Sequence, residues 1–224
     1  MLNKETRDQI VALIKREVVP AIGCTEPIAV ALCVAKATET LGTMPESIDV
    51  LLSGNMLKNA MGVGIPGTGM SGLPIAIALG AIVGKSEYQL EVLKDSTPEH
   101  VEKGKAYIAE NRINISLKEN ITEKLYIEVT VKAGDNAASA IIAGGHTHFI
   151  SITHNGEVLL SSKHENGAEV EDKDIELSLR MVYEFADTTP VEEIQFINEA
   201  RRLNENASKK SLEGNYGHEL GKTL

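Results

Sequence analysis

The stretch from residue 23 to residue 35 reads Gly-Cys-Thr-Glu-Pro-Ile-Ala-Val-Ala-Leu-Cys-Val-Ala, a short polar start followed by an apolar run. Pro27 suits the first position of a helix, because a helix start leaves its first N–H groups unpaired. Thr25 or Glu26 would then be the cap, and Gly42 would end the helix after about Leu41. The sequence therefore predicts an apolar helix with a polar start.

Cys24 lies just ahead of this helix. Because the helix dipole and the free N–H groups favour an anion there, we expect the pKa of the Cys24 thiol to be lowered. The thiolate would then be available as a base, a nucleophile or a metal ligand, although an ionised Glu26 nearby would act in the opposite sense. The alternative is a small cysteine buried at a loop.

Cys33 lies within the apolar run and is predicted to be a core residue. Its separation from Cys24 corresponds to roughly 13 Å along a helix, which is beyond the reach of about 7 Å between the Cα atoms of a disulfide. We therefore expect no disulfide between the two cysteines.

A glycine-rich segment follows a predicted strand at 47–52 and reads Ser53-Gly-Asn-Met-Leu-Lys-Asn-Ala-Met-Gly-Val-Gly-Ile-Pro-Gly-Thr-Gly69. Its backbone N–H groups can hold a carboxylate or a phosphate, and its glycines let the backbone approach a ligand closely. Polar side chains that could take part are those of Asn55, Lys58, Asn59 and Thr68. The alternative is a tight helix crossing that needs small residues. A dinucleotide site is not favoured, because the G-x-G-x-x-G pattern at 62–67 begins well after the strand and contains Pro66.

A third candidate site is Gly144-Gly-His-Thr-His148. On a strand, His146 and His148 would share one face and could serve a metal or catalysis. The alternative is partly exposed polarity on a sheet, because a metal site needs further ligands. His146, directly after the two glycines, is the stronger candidate.

The hydrophobic period changes from helical to alternating near Ile113, which predicts an α+β fold of helical segments packed with a small antiparallel sheet. Helices are expected at 5–18, 73–83 and 97–111, strands at 114–118, 125–133, 138–143, 147–154 and 158–162, and further helices at 174–187 and 191–206. Asn155-Gly156 is typical of a tight hairpin turn. We expect a helical part at 1–112, an antiparallel part at 113–165, and a helical part at 166–224 that continues into a further C-terminal helical region.

Composition favours a cytoplasmic protein that handles a small molecule. The 224 residues carry a net charge of −10, which disfavours nucleic acid or an anionic membrane as a partner. The N-terminus has no apolar signal region, and the long uncharged stretch at 59–83 is interrupted by six glycines and two prolines. We therefore expect no membrane partner.

Four motifs together resemble the L-cysteine desulfidase family, which is related to the alpha chain of iron-sulfur L-serine dehydratases. They are Ala21-Ile-Gly-Cys-Thr-Glu-Pro27, the segment at 53–69, Gly145-His-Thr147 and the terminal Tyr216-Gly-His-Glu-Leu-Gly-Lys222. The resemblance implies a lyase that converts L-cysteine to pyruvate, ammonia and sulfide by β-elimination, or acts similarly on L-serine. It also implies a [4Fe-4S] cluster as cofactor rather than pyridoxal phosphate.

The resemblance also implies roles for individual residues. Cys24 would be a base or a cluster-proximal thiolate, with Glu26 and His146 as further catalytic residues. The substrate carboxylate would be held by the glycine-rich loop and its neighbours, namely Asn55, Lys58, Asn59, Gly67, Thr68, Gly69 and Thr147.

A [4Fe-4S] cluster needs three or four thiolates, and this chain has two cysteines. Under the resemblance, the remaining cluster ligands are expected in a C-terminal part or a partner chain, and the 224 residues alone are expected to be inactive. A homo-oligomer is a further expectation. The alternative function is a non-catalytic module that binds a small carboxylate without a cluster.

Overall fold

A six-stranded sheet with helices packed on it forms the larger of two compact units, Ala21–Ala168. The other unit combines Met1–Pro20 with Glu169–Leu224. The fold is known from a computed structural model, which describes residues 2–162, 175–214 and 220–223. Residues 216–219 of the terminal motif and the predicted helix start at 174 lie outside the described residues. The predicted three-part division at 112 and 165 stays a prediction.

The elements of the larger unit alternate between helices and strands before the sheet is completed by consecutive strands. In chain order they are α2 (Thr25–Leu41), β1 (Ser47–Leu52), α3 (Gly54–Ala60), β2 (Gly64–Ile65), β3 (Met70–Ser71), α4 (Leu73–Ile82), a 3₁₀ helix (Ser86–Glu91), α5 (Pro98–Ala109), β4 (Ile113–Leu117), β5 (Tyr126–Ala133), β6 (Asn136–Ala143), β7 (Phe149–His154) and β8 (Glu157–Ser161). The smaller unit contains α1 (Lys4–Glu17), α6 (Leu179–Thr188), α7 (Val191–Ile194), a 3₁₀ turn (Gln195–Ile197), α8 (Asn198–Glu213) and α9 (Leu220–Thr223). The α+β class is confirmed.

Helix α2 begins at Thr25, two residues before Pro27, the first helical residue that the sequence predicted. Its cap is Cys24, whose side chain makes no capping hydrogen bond, so the prediction of Thr25 or Glu26 as cap is wrong. Pro27 is the third helical residue, where its missing N–H still costs nothing because the first turn has no intrahelical acceptors. The predicted end is confirmed: Gly42 has a φ of 79°, and its N–H donates to the Thr38 carbonyl at 3.0 Å.

The sheet is mixed rather than purely antiparallel. Its strand order is β4-β1-β5-β6-β7-β8, and β1 pairs in parallel with β4 and antiparallel with β5. The prediction of an antiparallel sheet starting at residue 113 is therefore wrong at that edge. The long connection through α3, α4 and α5 allows the parallel pairing, because a parallel pair needs a crossover of a dozen or more residues.

Two predicted elements of the smaller unit differ in their bounds. Helix α6 starts at Leu179, because the Ser178 side chain accepts a hydrogen bond from the Met181 N–H and caps the helix there. The helix predicted at 191–206 is broken into α7, a 3₁₀ turn and α8, which extends to Glu213.

Within the residues that the structure describes, each helix is too short or too polar to cross a membrane.

Helices α2 and α4 pack so closely that glycine is required at their contact. A Cβ atom placed on Gly80 would lie 2.6 Å from the Ala31 carbonyl oxygen and 3.1 Å from the Ala31 Cα atom. Both α2 and α4 are apolar almost all round, and residues 28–35 and 75–79 are at most 1% exposed. The close approach lets two buried helices share one core with the sheet.

We predict that Gly80→Ala destabilises the protein by about 1–3 kcal/mol, because the added methyl group meets fixed helix backbone. The higher helix propensity of alanine, about 1 kcal/mol, acts in the opposite direction and is too small to compensate. Urea denaturation followed by circular dichroism measures the difference. The matched control is Gly62→Ala, whose Cβ would have no atom within 4 Å. Equal midpoints for the two variants would contradict the close-packing argument.

Candidate functional site

Three segments that are distant in sequence meet at one edge of the sheet. Strands β1 and β6 both pair antiparallel with β5, so they run in the same direction and their C-terminal ends lie at the same edge. Helix α3 follows β1 there, and the turn at 144–148 follows β6. The start of α2 reaches this edge as well, since Glu26 contacts Asn59 of α3.

The Glu26 carboxylate is the centre of this arrangement. Its Oε2 accepts hydrogen bonds from the Cys24 thiol at 3.0 Å and from the Thr25 hydroxyl at 3.2 Å. Its Oε1 accepts from the Asn59 amide Nδ2 at 3.4 Å. The turn that carries His146 follows β6 at the same edge. The structure thus brings Cys24, Glu26 and Asn59 into hydrogen-bond contact and places His146 at the same edge of the sheet.

The two ionisable groups at the start of α2 are shifted in opposite directions. The pKa of the Cys24 thiol is raised, first by partial loss of solvent and then by its hydrogen bond to Glu26. The pKa of the Glu26 carboxyl is lowered, mainly because the thiol donates a hydrogen bond to it. The prediction of a lowered thiol pKa is therefore wrong. At neutral pH Cys24 is a proton donor and Glu26 an anionic acceptor.

The glycine-rich loop is a small hairpin formed by β2 and β3, with residues 66–69 at its tip. Gly67 and Gly69 have φ angles of 76° and 65°, and a Cβ atom on either would meet no atom within 4 Å. These glycines are therefore needed for the backbone path and not for tight packing. Their exposed backbone leaves open space for a ligand.

Thr68 holds the tip of the hairpin together. Its hydroxyl donates to the Ile65 carbonyl at 2.7 Å and accepts from the Met70 N–H at 3.0 Å. The residue is 9% exposed. The Thr68 hydroxyl is therefore hydrogen-bonded to the loop backbone, and its role is to hold the conformation of the loop.

The other predicted binding residues lie around this edge with different exposure. Asn55 and Lys58 are exposed on α3, and Asn55 is one turn before Asn59 on the same face. His146 and Thr147 lie in a turn closed by the His148 N–H donating to the Gly145 carbonyl at 3.2 Å. The prediction that His146 and His148 share a strand face is therefore wrong, because β7 begins only at Phe149.

Cys33 is a core residue, as predicted. It is 0% exposed, its thiol donates to the Ala140 carbonyl at 3.2 Å, and burial strongly raises its pKa. Both cysteines are free thiols, which confirms the absence of a disulfide between them.

The residues of this chain do not fit a [4Fe-4S] cluster. Such a cluster needs three or four thiolates, and of the two cysteines one is buried and hydrogen-bonded within the core. Among the described residues, no group of three or more His, Cys, Asp or Glu side chains is placed to hold a metal ion. Cys24 can supply at most one thiolate to such a cluster, and its hydrogen bond to Glu26 suits an acid–base group.

Sequence reasoning missed two contributors to the site. Thr25 was considered only as a helix cap, and its hydroxyl instead donates to Glu26. Gly23 was not singled out, although the ring of Pro66 packs directly against it. The sequence could have indicated the role of Thr25, because a thiol and a hydroxyl directly precede a glutamate in the first turn of a helix.

The chain is similar over its whole length to proteins named UPF0597. It is 66% identical over 223 residues to one from Bacteroides fragilis, an alignment that covers 100% of this chain and 52% of that protein. It is 48% identical over 229 residues to one from Porphyromonas gingivalis, with 100% and 53% covered. For one from Photobacterium profundum, the identity is 44% over 215 residues, with 95% and 50% covered. The chain thus spans about half the length of the curated relatives it matches. No family model and no solved structure matches the chain.

These relatives overturn the resemblance to the L-cysteine desulfidase family. Relatives that align with the whole chain at up to 66% identity bear the name UPF0597. Nothing in the comparison connects the chain to cysteine desulfidases or serine dehydratases. The identification is therefore wrong, and the site has to be interpreted from its own geometry.

We predict that Glu26→Gln lowers the pKa of the Cys24 thiol, because it removes the negative charge that favours the neutral form. The rate of Cys24 alkylation by iodoacetamide, measured from pH 6 to 10, should rise at neutral pH and reach its midpoint at lower pH. Cys33 does not interfere, since it is fully buried.

The control is Glu157→Gln on the exposed strand β8, which changes the net charge equally and should leave the alkylation profile unchanged. An unchanged profile in Glu26→Gln would show that the carboxylate does not govern the thiol.

Proposed function

We propose that this site binds a small α-amino carboxylate and catalyses β-elimination from it, as part of a longer enzyme. The observation that supports the proposal is the 3.0 Å hydrogen bond from the Cys24 thiol to Glu26, with the two pKa values shifted apart. Adjacent groups with oppositely shifted pKa values are typical of an acid and a base that act together.

The elimination needs one group that accepts a proton and one that donates a proton. Glu26 would take the proton from the Cα atom of the substrate, and the electron pair of the C–H bond would form the Cα=Cβ double bond. The bond from Cβ to its sulfur or oxygen substituent would break at the same time. Cys24 would give its proton to the departing group, which leaves as sulfide or water.

The same hydrogen bond then restores the pair. After elimination Glu26 carries the added proton and Cys24 is a thiolate, so proton transfer from carboxyl to thiolate across their contact returns both groups to the starting state. The aminoacrylate product tautomerises to an imine, and water converts it to pyruvate and ammonia. No proton is gained or lost by the protein over the cycle.

Ligand binding would make Glu26 a stronger base. A carboxylate with a lowered pKa is a weak base in the open site. A ligand that displaces water from Glu26 would raise its pKa, because loss of solvent disfavours the charged form. Proton abstraction would therefore be coupled to binding.

The substrate carboxylate would be held by the hairpin tip and the exposed face of α3. The backbone at Gly67 and Gly69 is open to solvent, and α3, which contacts Glu26 through Asn59, presents the exposed side chains of Asn55 and Lys58. A cation and backbone N–H groups are suitable partners for a carboxylate. His146 and Thr147, on the turn beside Glu26, would contact the same ligand.

L-Cysteine and L-serine are the substrates that fit this chemistry, since each carries a departing group on Cβ. We further propose a cytoplasmic setting and no nucleic-acid or membrane partner, in line with the net charge of −10. A second copy or the remaining part of a protein as long as the relatives would complete the enzyme.

The test combines binding by this chain with turnover by a longer protein. We expect ¹⁵N-labelled chain to bind L-serine and L-alanine, with amide shifts at Gly67 and Gly69, and to bind L-serinamide much more weakly because it lacks the carboxylate. A chimera in which this chain replaces the matched segment of the Bacteroides fragilis relative should form pyruvate from L-serine or L-cysteine. In that chimera, Glu26→Gln should lower kcat by about 10²- to 10⁴-fold, the usual contribution of general acid–base catalysis.

The outcomes separate the two candidate functions. L-Serine binding without pyruvate from the chimera or from the intact relative would replace the lyase with a non-catalytic carboxylate-binding module. Absence of binding would reject both. The control variant Glu157→Gln should retain binding and turnover.

A further inference from the structure

The ring of Pro66, in the glycine hairpin at 64–71, packs against Gly23, two residues before α2. A Cβ atom placed on Gly23 would lie 2.9 Å from the Pro66 Cγ atom and 3.1 Å from its Cδ atom. Gly23 has no left-handed φ, so backbone conformation does not require glycine at this position. The absence of a side chain is needed for the contact with the proline ring.

The two sides of this contact differ in how firmly they are held. Gly23 lies between Ile22, whose N–H donates to the Leu90 carbonyl at 3.3 Å, and the buried helix α2. Pro66 is exposed at the tip of the hairpin, next to the buried Ile65, and the two hairpin strands share two paired positions. A side chain at residue 23 would therefore displace the exposed tip at Pro66 and leave the buried helix α2 in place.

The displaced part would be the backbone that the proposed function uses for the substrate carboxylate. Pro66 immediately precedes Gly67, and Gly23 immediately precedes Cys24. The contact thus links two residues that each lie next to the proposed site. Pro66 adjoins the backbone proposed to bind the carboxylate, and Gly23 adjoins the proposed proton donor. The proline ring is rigid and its Cδ atom is bonded to the backbone nitrogen, so the ring cannot yield without moving the loop.

We propose that Gly23 and Pro66 are positioning residues, whose contact fixes the distance between the glycine hairpin and the Cys24–Glu26 pair. The catalytic importance of that distance rests on the proposed function, whereas the contact itself is present in the ligand-free protein. It sets where a ligand carboxylate lies relative to the thiol, and it keeps the hairpin tip beside the residue that precedes Cys24.

The test is a pair of substitutions in which the second removes the effect of the first. Gly23→Ala should weaken L-serine binding by about tenfold, the effect of losing one charge-assisted hydrogen bond to the carboxylate. It should also change the rate of Cys24 alkylation by iodoacetamide, because the residue next to the exposed thiol then meets the hairpin tip differently. Adding Pro66→Ala removes the Cγ and Cδ atoms that the new methyl group meets, so the double variant should recover both properties.

The matched control is Gly62→Ala, which precedes the hairpin, and whose Cβ would meet no atom within 4 Å and whose φ is not left-handed. It should leave L-serine binding and Cys24 alkylation unchanged. The free energy of unfolding, measured for all variants, identifies any general loss of stability. If Gly23→Ala changes alkylation only in proportion to that loss, or if Pro66→Ala fails to restore it, the positioning role is overturned.

The experiment also distinguishes failure of the inference from failure of the proposed function. If the unmodified chain does not bind L-serine, the proposed function fails, while the alkylation rates still measure the contact. If it binds L-serine and Gly23→Ala changes neither binding nor alkylation, the proposed function stands and the positioning role is rejected.

Discussion

The burial of helix α2 is the constraint on which the larger unit depends. Residues 28–35 are at most 1% exposed, and the helix packs against β5, β6 and β7, against α4, and against the 3₁₀ helix at 86–91. Complete burial of each large side chain contributes roughly 1.5–3 kcal/mol, and any rotation or sliding of the helix would open cavities in a close-packed core. Packing therefore fixes α2 relative to the sheet, and with it the backbone at the start of the helix.

The elements that form this core also position the residues of the candidate site. Glu26 is fixed by α2, while Asn59 is placed by α3 directly after β1, and the turn that carries His146 follows β6. These segments meet because β1 and β6 run in the same direction on either side of β5. The hairpin that carries Gly67 and Gly69 is held less firmly, since it has its own two short strands and contacts the turn before α2 through Pro66.

Features encoded by local sequence could be predicted, and features set by distant contacts could not. Strand β1, the helix that begins after Thr97 and the hairpin at Asn155-Gly156 all follow from neighbouring residues, and each is present. The parallel pairing of β4 with β1 is not encoded locally, because an alternating pattern does not identify the partner strand. Similarly, the sequence indicated Cys24, Glu26, Asn59 and His146 from separate motifs, whereas their position at one edge of the sheet depends on the order of strands.

The pKa of Cys24 is raised, although a thiol at the start of a helix is expected to have a lowered pKa. The helix dipole places an effective charge of about +0.5 near the thiol, which favours a thiolate. Partial loss of solvent acts against the thiolate, and so does a full negative charge on the Glu26 oxygen 3.0 Å from the sulfur. Since a thiolate is the reactive form of cysteine, this arrangement lowers the resting nucleophilicity of Cys24. It favours a thiol that donates protons, and it supplies the adjacent carboxylate through which that proton can be returned.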